Sequence, residues 1–442
     1  MQYFHKYVAF VTLFFFILTT SCIHTDDKDK TPAETQSLDN IRNVGYTYYS
    51  ESGNRYVKGS GDITALTPID IELPQNATWL VSASIGQESI WAAVLSDGQV
   101  KAFKVNGTSY EDVIITPVQL STTIPPTLIV EDDGTVKLGN VFDGASSTSA
   151  TLVVDKTTGQ RAYIADNGDV VLRTGTSEQR LAVNALSHAR LLMDEKKRIL
   201  VLSQPSADYG HVAVLGSAYK HAKGITLIET DPEFKVVDTI TFAAVDVVEG
   251  NSLIWEDVDG DGVREIITTL SNDEAGTQGG RIVVFNEEGG VYGESDAIGL
   301  HNRWRHQIAV APFKSAEETS LVSIYIPHIT PNIEYFRLDD ESMRRENLDV
   351  TGSASSHLFT GPNIDMSLAG DFDGDGKIEL MLVDRNDRKA IVAYEYSDSG
   401  IDLDWTLNLS DAITSNASAV TLDNDVLAYG VGQGKSLRIW HP

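Results

Sequence analysis

Two stretches of this chain concentrate its carboxylates. Asp257-Val-Asp259-Gly-Asp261-Gly-Val263-Arg-Glu265 and Asp371-Phe-Asp373-Gly-Asp375-Gly-Lys377-Ile-Glu379 each place four acidic side chains within nine residues. Such crowding is costly unless a hard cation offsets the repulsion. Oxygen ligands at positions 1, 3, 5 and 9, a backbone carbonyl at 7 and a glycine at 6 describe a Ca²⁺ loop. One Ca²⁺ is therefore expected on Asp257, Asp259, Asp261, the Val263 carbonyl and Glu265. A second is expected on Asp371, Asp373, Asp375, the Lys377 carbonyl and Glu379. Mg²⁺ prefers few carboxylates and keeps several waters, so it fits less well. The competing reading is a solvated acidic turn, and the recurrence of the pattern weighs against it.

The loops are not EF-hands, which need a bidentate Glu at position 12 and flanking helices. Position 12 is Thr268 in one copy and Leu382 in the other, and both loops are followed by apolar, β-rich runs. What precedes them, Ser252-Leu-Ile-Trp255 and Met366-Ser-Leu-Ala369, is also strand-like. Each loop is thus a strand–loop–strand turn. The stretch Ala369-Gly-Asp-Phe-Asp-Gly-Asp-Gly376 resembles the FG-GAP or VCBS-type repeat, whose blades carry such a loop between their first two strands. Glu at position 9 replaces the commoner Asp of that family. The resemblance implies a β-propeller.

A second constellation is unusual in an acidic chain. His301-Asn-Arg303-Trp304-Arg305-His306 is followed one hairpin later by Ile326-Pro-His328. With Ser356-His357 and Asn363-Ile-Asp365-Met366, it resembles a recurring stretch in uncharacterised members of the same repeat family. Arg grips carboxylates bidentately and Trp stacks on a sugar face. Arg303, Trp304, Arg305, His306 and His328 are therefore candidate ligand-binding residues for an acidic saccharide or a peptide carboxylate. The alternative is structural, with Arg303 and Arg305 paired to acids of neighbouring blades and Trp304 packed between blades. No Gly-x-Ser-x-Gly elbow, Gly-rich phosphate loop or His-x-x-x-His spacing names a catalytic group. The expectation is a non-catalytic binder of a glycan or protein. A lyase or hydrolase acting on acidic polysaccharide, or a scaffold in an envelope complex, stand as alternatives.

Composition narrows the setting. Lys and Arg total 34 against 63 Asp and Glu, a net charge of −29. That field repels phosphate backbones and disfavours nucleic acid. Near the start, Lys6 precedes an apolar stretch from Tyr7 to Thr20 that is too short to span a bilayer and reads as a signal-peptide core. Thr20-Ser21-Cys22 resembles the lipobox of bacterial lipoproteins, in which Cys22 would be acylated. The sequence thus divides into a leader (1–21), a polar tether (22–43) and a folded part (44–442). It predicts a monomeric lipoprotein held at the outer membrane by its lipid anchor.

From Val44 onward, short β-rich runs alternate with turn signals such as Asp97-Gly98, Asp133-Gly134 and Asn167-Gly168. The two acidic loops lie 114 residues apart, twice a plausible blade, and degenerate copies of the same outline fall around 189–202, 308–325 and 418–429. With two blades from Trp79 to Thr174, this gives an all-β, single β-propeller of seven blades, with six or eight also compatible. The terminal strand Ser436-Leu-Arg-Ile-Trp440 predicts ring closure by Val44–Tyr49 or Arg55–Lys58.

Overall fold

The structure, a computed structural model, describes residues 43–442 apart from 141, 212–213, 273–277, 300–302, 340–341, 347–353, 358–360, 362 and 398–399. The leader, almost all of the tether, Cys22 and His301 lie outside the described residues. Among the described residues there are strands and turns but no α-helix.

The strands form four-stranded units that follow one another along the chain, as in a β-propeller. Among the described residues there are seven sheets, and the nine-stranded one is two such units joined by Asp246–Val248, which pairs with a strand of each. In chain order the blades are 1 (77–113), 2 (115–138), 3 (152–181), 4 (192–241), 5 (254–294), 6 (305–346), 7 (368–408) and 8 (413–440). The described residues thus group into eight such units, one more than the favoured seven and within the range the sequence allows, because 77–181 holds three units rather than two. Blade 2 is hard to see in sequence. Its strands Thr127–Val130 and Val136–Leu138 are short, and its outer strand Ile115–Thr116 comes from the connection with blade 1 and runs parallel.

Burial grades outward within a blade. The second strand of blade 5, Glu265–Asn272, is buried along its whole length because other sheets cover both faces. The outer strands Ser177–Leu181 and Lys235–Thr241 are mostly exposed and polar. The ring closes on itself through buried contacts from a side-chain amide to the backbone. Asn416 of blade 8 donates to the Leu80 carbonyl (2.7 Å) and accepts from the Leu80 N–H (2.9 Å) in blade 1.

Residues 44–60 form a belt along the inner strands. Gly45 lies so close to blade 1 that a Cβ there would meet the Ser82 carbonyl at 2.1 Å. Val44–Tyr46 pairs antiparallel with blade 2, and the Tyr46 hydroxyl accepts from Val153 N–H of blade 3 at 3.1 Å. Glu51 and Ser52 carbonyls accept from Met193 (2.9 Å) and Trp255 (2.8 Å) at the inner strands of blades 4 and 5. Asn54 bonds both Val310 N–H (3.0 Å) and Val310 C=O (2.9 Å) of blade 6. The Arg55 carbonyl accepts from Ala369 N–H of blade 7 (3.0 Å), and Ser60 N–H donates to Asp425 C=O in blade 8 (2.9 Å). The belt therefore visits all eight blades in ring order. Small residues let it approach so closely: Gly53 has φ 76°, and a Cβ there would lie 2.1 Å from the Leu253 carbonyl.

Neither segment expected to close the ring does so. Ile69–Glu72 pairs antiparallel with Ser436–Trp440 and completes blade 8 from outside, while 44–60 lies inside. The alternating burial of Ile69-Asp-Ile-Glu72 suits an outer edge strand, whereas the belt has unbroken buried runs at 45–48 and 52–55.

Asn54→Ala leaves one buried N–H and one buried C=O of Val310 unpaired. It is expected to destabilise the fold by about 2 kcal/mol in urea titration. A loss below about 0.5 kcal/mol, the range of ordinary surface changes, would show that the belt is not integral to the core.

Candidate functional site

The two acidic loops occupy equivalent places, each between the inner and second strand of its blade. In blade 5 the Asp257 carboxylate accepts from Gly260 and Gly262 N–H (2.7 and 2.9 Å), and Asp261 accepts from Val263 N–H (2.7 Å). In blade 7 Asp371 accepts from Gly374 N–H (2.8 Å), Asp373 from Asp375 N–H (3.1 Å) and Asp375 from Lys377 N–H (2.8 Å). The glycines at positions 4 and 6 sit at φ between 77° and 88°, in the left-handed region the tight turn needs. Glu265 and Glu379 reach back to accept from the N–H of Val258 (3.0 Å) and Phe372 (2.7 Å).

The copies differ in how far their acids converge. Asp371, Asp373, Asp375 and Glu379 each offer an oxygen within 4.8 Å of the others'. In blade 5 only Asp257, Asp259 and Glu265 do so, and Asp261 stands outside the group. Glu379 is fully buried, and its Oε1 meets no hydrogen-bond partner among the described residues. Burial first, then the charges of Asp373, Asp371 and Asp404, push its carboxyl up to about 9. Glu265 is pushed up to about 7, again chiefly by burial. Asp404, on the outer strand Gly400–Asn408, hydrogen-bonds Asp373 and is raised to about 6 by burial and that neighbour. Sequence reasoning missed Asp404, because only the pairing of 390–397 with 400–408 carries it to the loop. Lys377 turns its ammonium to Glu395 and Asp375.

A second polar assembly lies inside the ring. Arg55 of the belt donates from Nε and Nη2 to Asp365 Oδ1 (3.1 and 2.7 Å), and Arg190 Nη2 donates to Asp365 Oδ2 (3.1 Å). All three side chains are buried. One carboxylate thus joins the belt, the entry to blade 4 and the entry to blade 7. Burial pulls Arg55 below its ordinary value, against the pull of Asp365.

From Arg55 a proton-ordered chain leads outward. Arg55 Nη1 lies 2.9 Å from His306 Nε2, and a guanidinium only donates, so His306 carries its proton on Nδ1. That N–H faces Ser356 Oγ at 2.7 Å, and Ser356 lies 3.0 Å from His357 Nδ1. Ser356 Oγ meets no other acceptor among the described residues, so its hydroxyl donates to His357 Nδ1 and the His357 proton sits on Nε2. That Nε2–H meets no partner among the described residues. His357 is also in edge-to-face contact with His328 (ring centroids 4.4 Å) and Trp304 (5.4 Å). Burial first, then neighbouring cationic and imidazole groups, holds His306 and His357 well below the usual histidine range.

His328, Ser355, His357, Val383, Asp384, Arg385 and Arg388 line a cavity of about 420 Å³. The strand Glu379–Asp384 separates this cavity from the blade 7 acidic loop, which precedes it, whereas Arg385 and Arg388 follow it.

The candidate ligand residues separate accordingly. Arg305 is buried in an ion pair with Glu334 (2.7 Å) and also donates to Gly280 C=O (3.2 Å) and Ser295 Oγ (3.1 Å), tying blade 5 to blade 6. Trp304 is buried and stacks on His306 (4.9 Å). Both face a void of about 10 Å³, room for at most one water. Arg303 is half-buried. Of the five, the structure brings only His328 to the wall of the larger cavity. His357 joins it there, as do Arg385 and Arg388, whose hairpin turn carries no sequence signal of a site.

No protein-family model matches this chain, and no curated protein does. Among solved structures it is similar to a chain of the "Crystal Structure of Mitotic Checkpoint Complex", with 11% identity, a TM-score of 0.41 and coverage of 84% of this chain and 94% of that chain. It is also similar to the "Structure of Dos1 propeller", with 8% identity, a TM-score of 0.41 and coverage of 86% and 95%.

Two expectations follow from the axis. Asp365→Asn removes the carboxylate that Arg55 and Arg190 share in the interior, and a loss of about 3–5 kcal/mol is expected in denaturant titration. A loss under about 1 kcal/mol would contradict the bridge. The second concerns pH. His188 is held down to about 3, by burial first and then Arg190 and His221; His221 is held to about 4, by burial and then His211. Unfolded imidazoles protonate near pH 6.5, so below that pH the unfolded chain binds more protons than the folded one. Stability is therefore whole above about pH 7 and falls toward about pH 4. By pH 5 the loss is on the order of 2 kcal/mol for each of these two groups. An unchanged or higher denaturation midpoint at pH 5 than at pH 7, in saturating calcium, would contradict their burial as neutral rings.

Proposed function

We propose that this protein is a calcium-stiffened β-propeller of the FG-GAP/VCBS type, tethered to the outer membrane through acylated Cys22, that binds a glycan or protein partner without transforming it. The observation that carries the calcium part is the blade 7 loop. Four carboxylate oxygens converge within 4.8 Å, and a fully buried glutamate oxygen among them has no partner. An acidic turn serving only solvent would not hold Glu379 buried and half-satisfied, and a divalent ion fits the donor set. Asp371, Asp373, Asp375, Glu379 and the Lys377 carbonyl would hold it, with Asp404 supporting from the outer strand. Asp257, Asp259, Glu265 and the Val263 carbonyl would hold the second ion more weakly, since Asp261 stands apart.

The binding role is favoured by how the inner polar groups are used. Arg305 pairs with Glu334, and Arg55 and Arg190 share Asp365, so these cations hold the ring together. The apolar stretch ending at Thr20-Ser21-Cys22 and the polar segment after it support anchoring at a membrane surface. Closure of blade 8 by the chain's own Ile69–Glu72 covers that blade's outer edge, which fits a monomer.

Titration calorimetry of chelator-treated protein is expected to show two Ca²⁺ ions taken up with different affinities. Asp373→Asn should remove the tighter and Asp259→Asn the weaker. At free Ca²⁺ a hundredfold above the tighter dissociation constant, mass action adds about 2.7 kcal/mol of stability. No calcium uptake, or equal stabilisation by Mg²⁺, would overturn the calcium reading. Cleavage of a polyuronate by the purified protein would overturn the non-catalytic one.

A further inference from the structure

The geometry points to the cavity between blades 6 and 7 as a binding site for a sugar acid of monosaccharide size, its carboxylate held by His357 Nε2–H, Arg385 and Arg388. This rests on the binding role proposed above and names the ligand class. Three independent features converge on it. The first is the orphaned donor: His357 is 3% exposed, and the chain from Arg55 through His306 and Ser356 fixes its remaining proton on Nε2. A buried N–H without an acceptor is unfavourable, and a ligand oxygen would satisfy it.

The second is cation placement. In a chain of net charge −29, the turn after Glu379–Asp384 carries Arg385 and Arg388, and among the described residues neither meets a carboxylate. Arg385 donates from Nη1 to the Ile329 carbonyl (2.8 Å) across to blade 6, which orients it at the cavity wall. The main chain of Arg388 is held at φ 61°, with its carbonyl accepting from Ile413 N–H (3.0 Å), and its side chain lines the cavity. Asp384 also lines the cavity, but its oxygens are engaged by the N–H groups of Asn386 (3.0 Å) and Asp387 (3.2 Å) and by the Asn386 amide (3.2 Å).

The third is size and polarity. A cavity of about 420 Å³ falls in the range of small-molecule sites. Six of its seven lining residues carry a hydroxyl, imidazole, carboxylate or guanidinium group, set among the exposed carbon of their rings and stems, a mixture that a sugar ring with its hydroxyls and C–H faces matches.

The test uses the calcium-loaded full chain, with sodium glucuronate as probe, glucose as its uncharged counterpart and acetylglycine as a peptide-like carboxylate. Calorimetry is paired with ¹⁵N spectra of the histidine rings. Saturable glucuronate binding is expected, at least tenfold tighter than that of glucose or acetylglycine, with the His357 Nε2 signal moving on saturation. The double variant Arg385→Gln with Arg388→Asn, chosen because Asn tolerates the left-handed backbone, should weaken binding at least tenfold without changing the melting temperature. Equal binding of glucose, or of acetylglycine, would overturn the assignment to a sugar acid. An unmoved His357 signal or an undiminished affinity in the double variant would place the site elsewhere. Absence of saturable glucuronate binding would remove the pocket while leaving calcium uptake and the broader binding role to stand on their own tests.

Discussion

The carboxylate of Asp365 sits between two buried guanidinium groups, and the interior of the ring is arranged around that fact. Arg55 comes from the belt, Arg190 from the entry to blade 4 and Asp365 from the entry to blade 7. Buried ion pairs add little net stability relative to apolar packing, but breaking one is severe. Their effect here is specificity. A belt that must bring Arg55 to one carboxylate and Asn54 to one peptide group of blade 6 can lie in the ring in only one register. That register sets which backbone groups of the inner strands are satisfied, and it fixes the proton order that reaches His357.

The same constraint separates the two ends of the blades. The acidic loops follow the inner strands at one end, where clustered carboxylates contribute to the negative field. At the other end of Glu379–Asp384, His328, His357, Arg385 and Arg388 line a cavity. Two divalent ions would cancel only four charges of the −29, so their effect on the whole field is minor. Their effect on a loop is large, because each removes repulsion among carboxylates that the turn itself forces together.

Much of this was legible in the residues. The spacing of Asp371, Asp373, Asp375 and Glu379 identified a strand–loop–strand turn, because position 12 carried Leu382 and the flanks were apolar. The alternation and turn signals gave the all-β ring. Other features depended on pairings far apart in sequence. Nothing local in Arg55 or Arg190 announces a shared carboxylate, and 310 residues separate Arg55 from Asp365. The belt was mistaken for a closing strand because short buried β-rich runs read alike whether they edge a sheet or line a ring. Blade 2 was lost because two- to four-residue strands leave no period to count. Arg303, Trp304 and Arg305 looked like a ligand grip from composition, but burial and the Glu334 partner assign Arg305 to joining blades.

The most direct measurement is a calcium anomalous difference map from a crystal of the calcium-loaded protein. Two peaks are expected, the stronger one about 2.3–2.6 Å from oxygens of Asp371, Asp373, Asp375 and Glu379, including the Glu379 Oε1 that otherwise has no partner. A map without a peak there, with that oxygen bonded to water or to another protein group, would contradict the account.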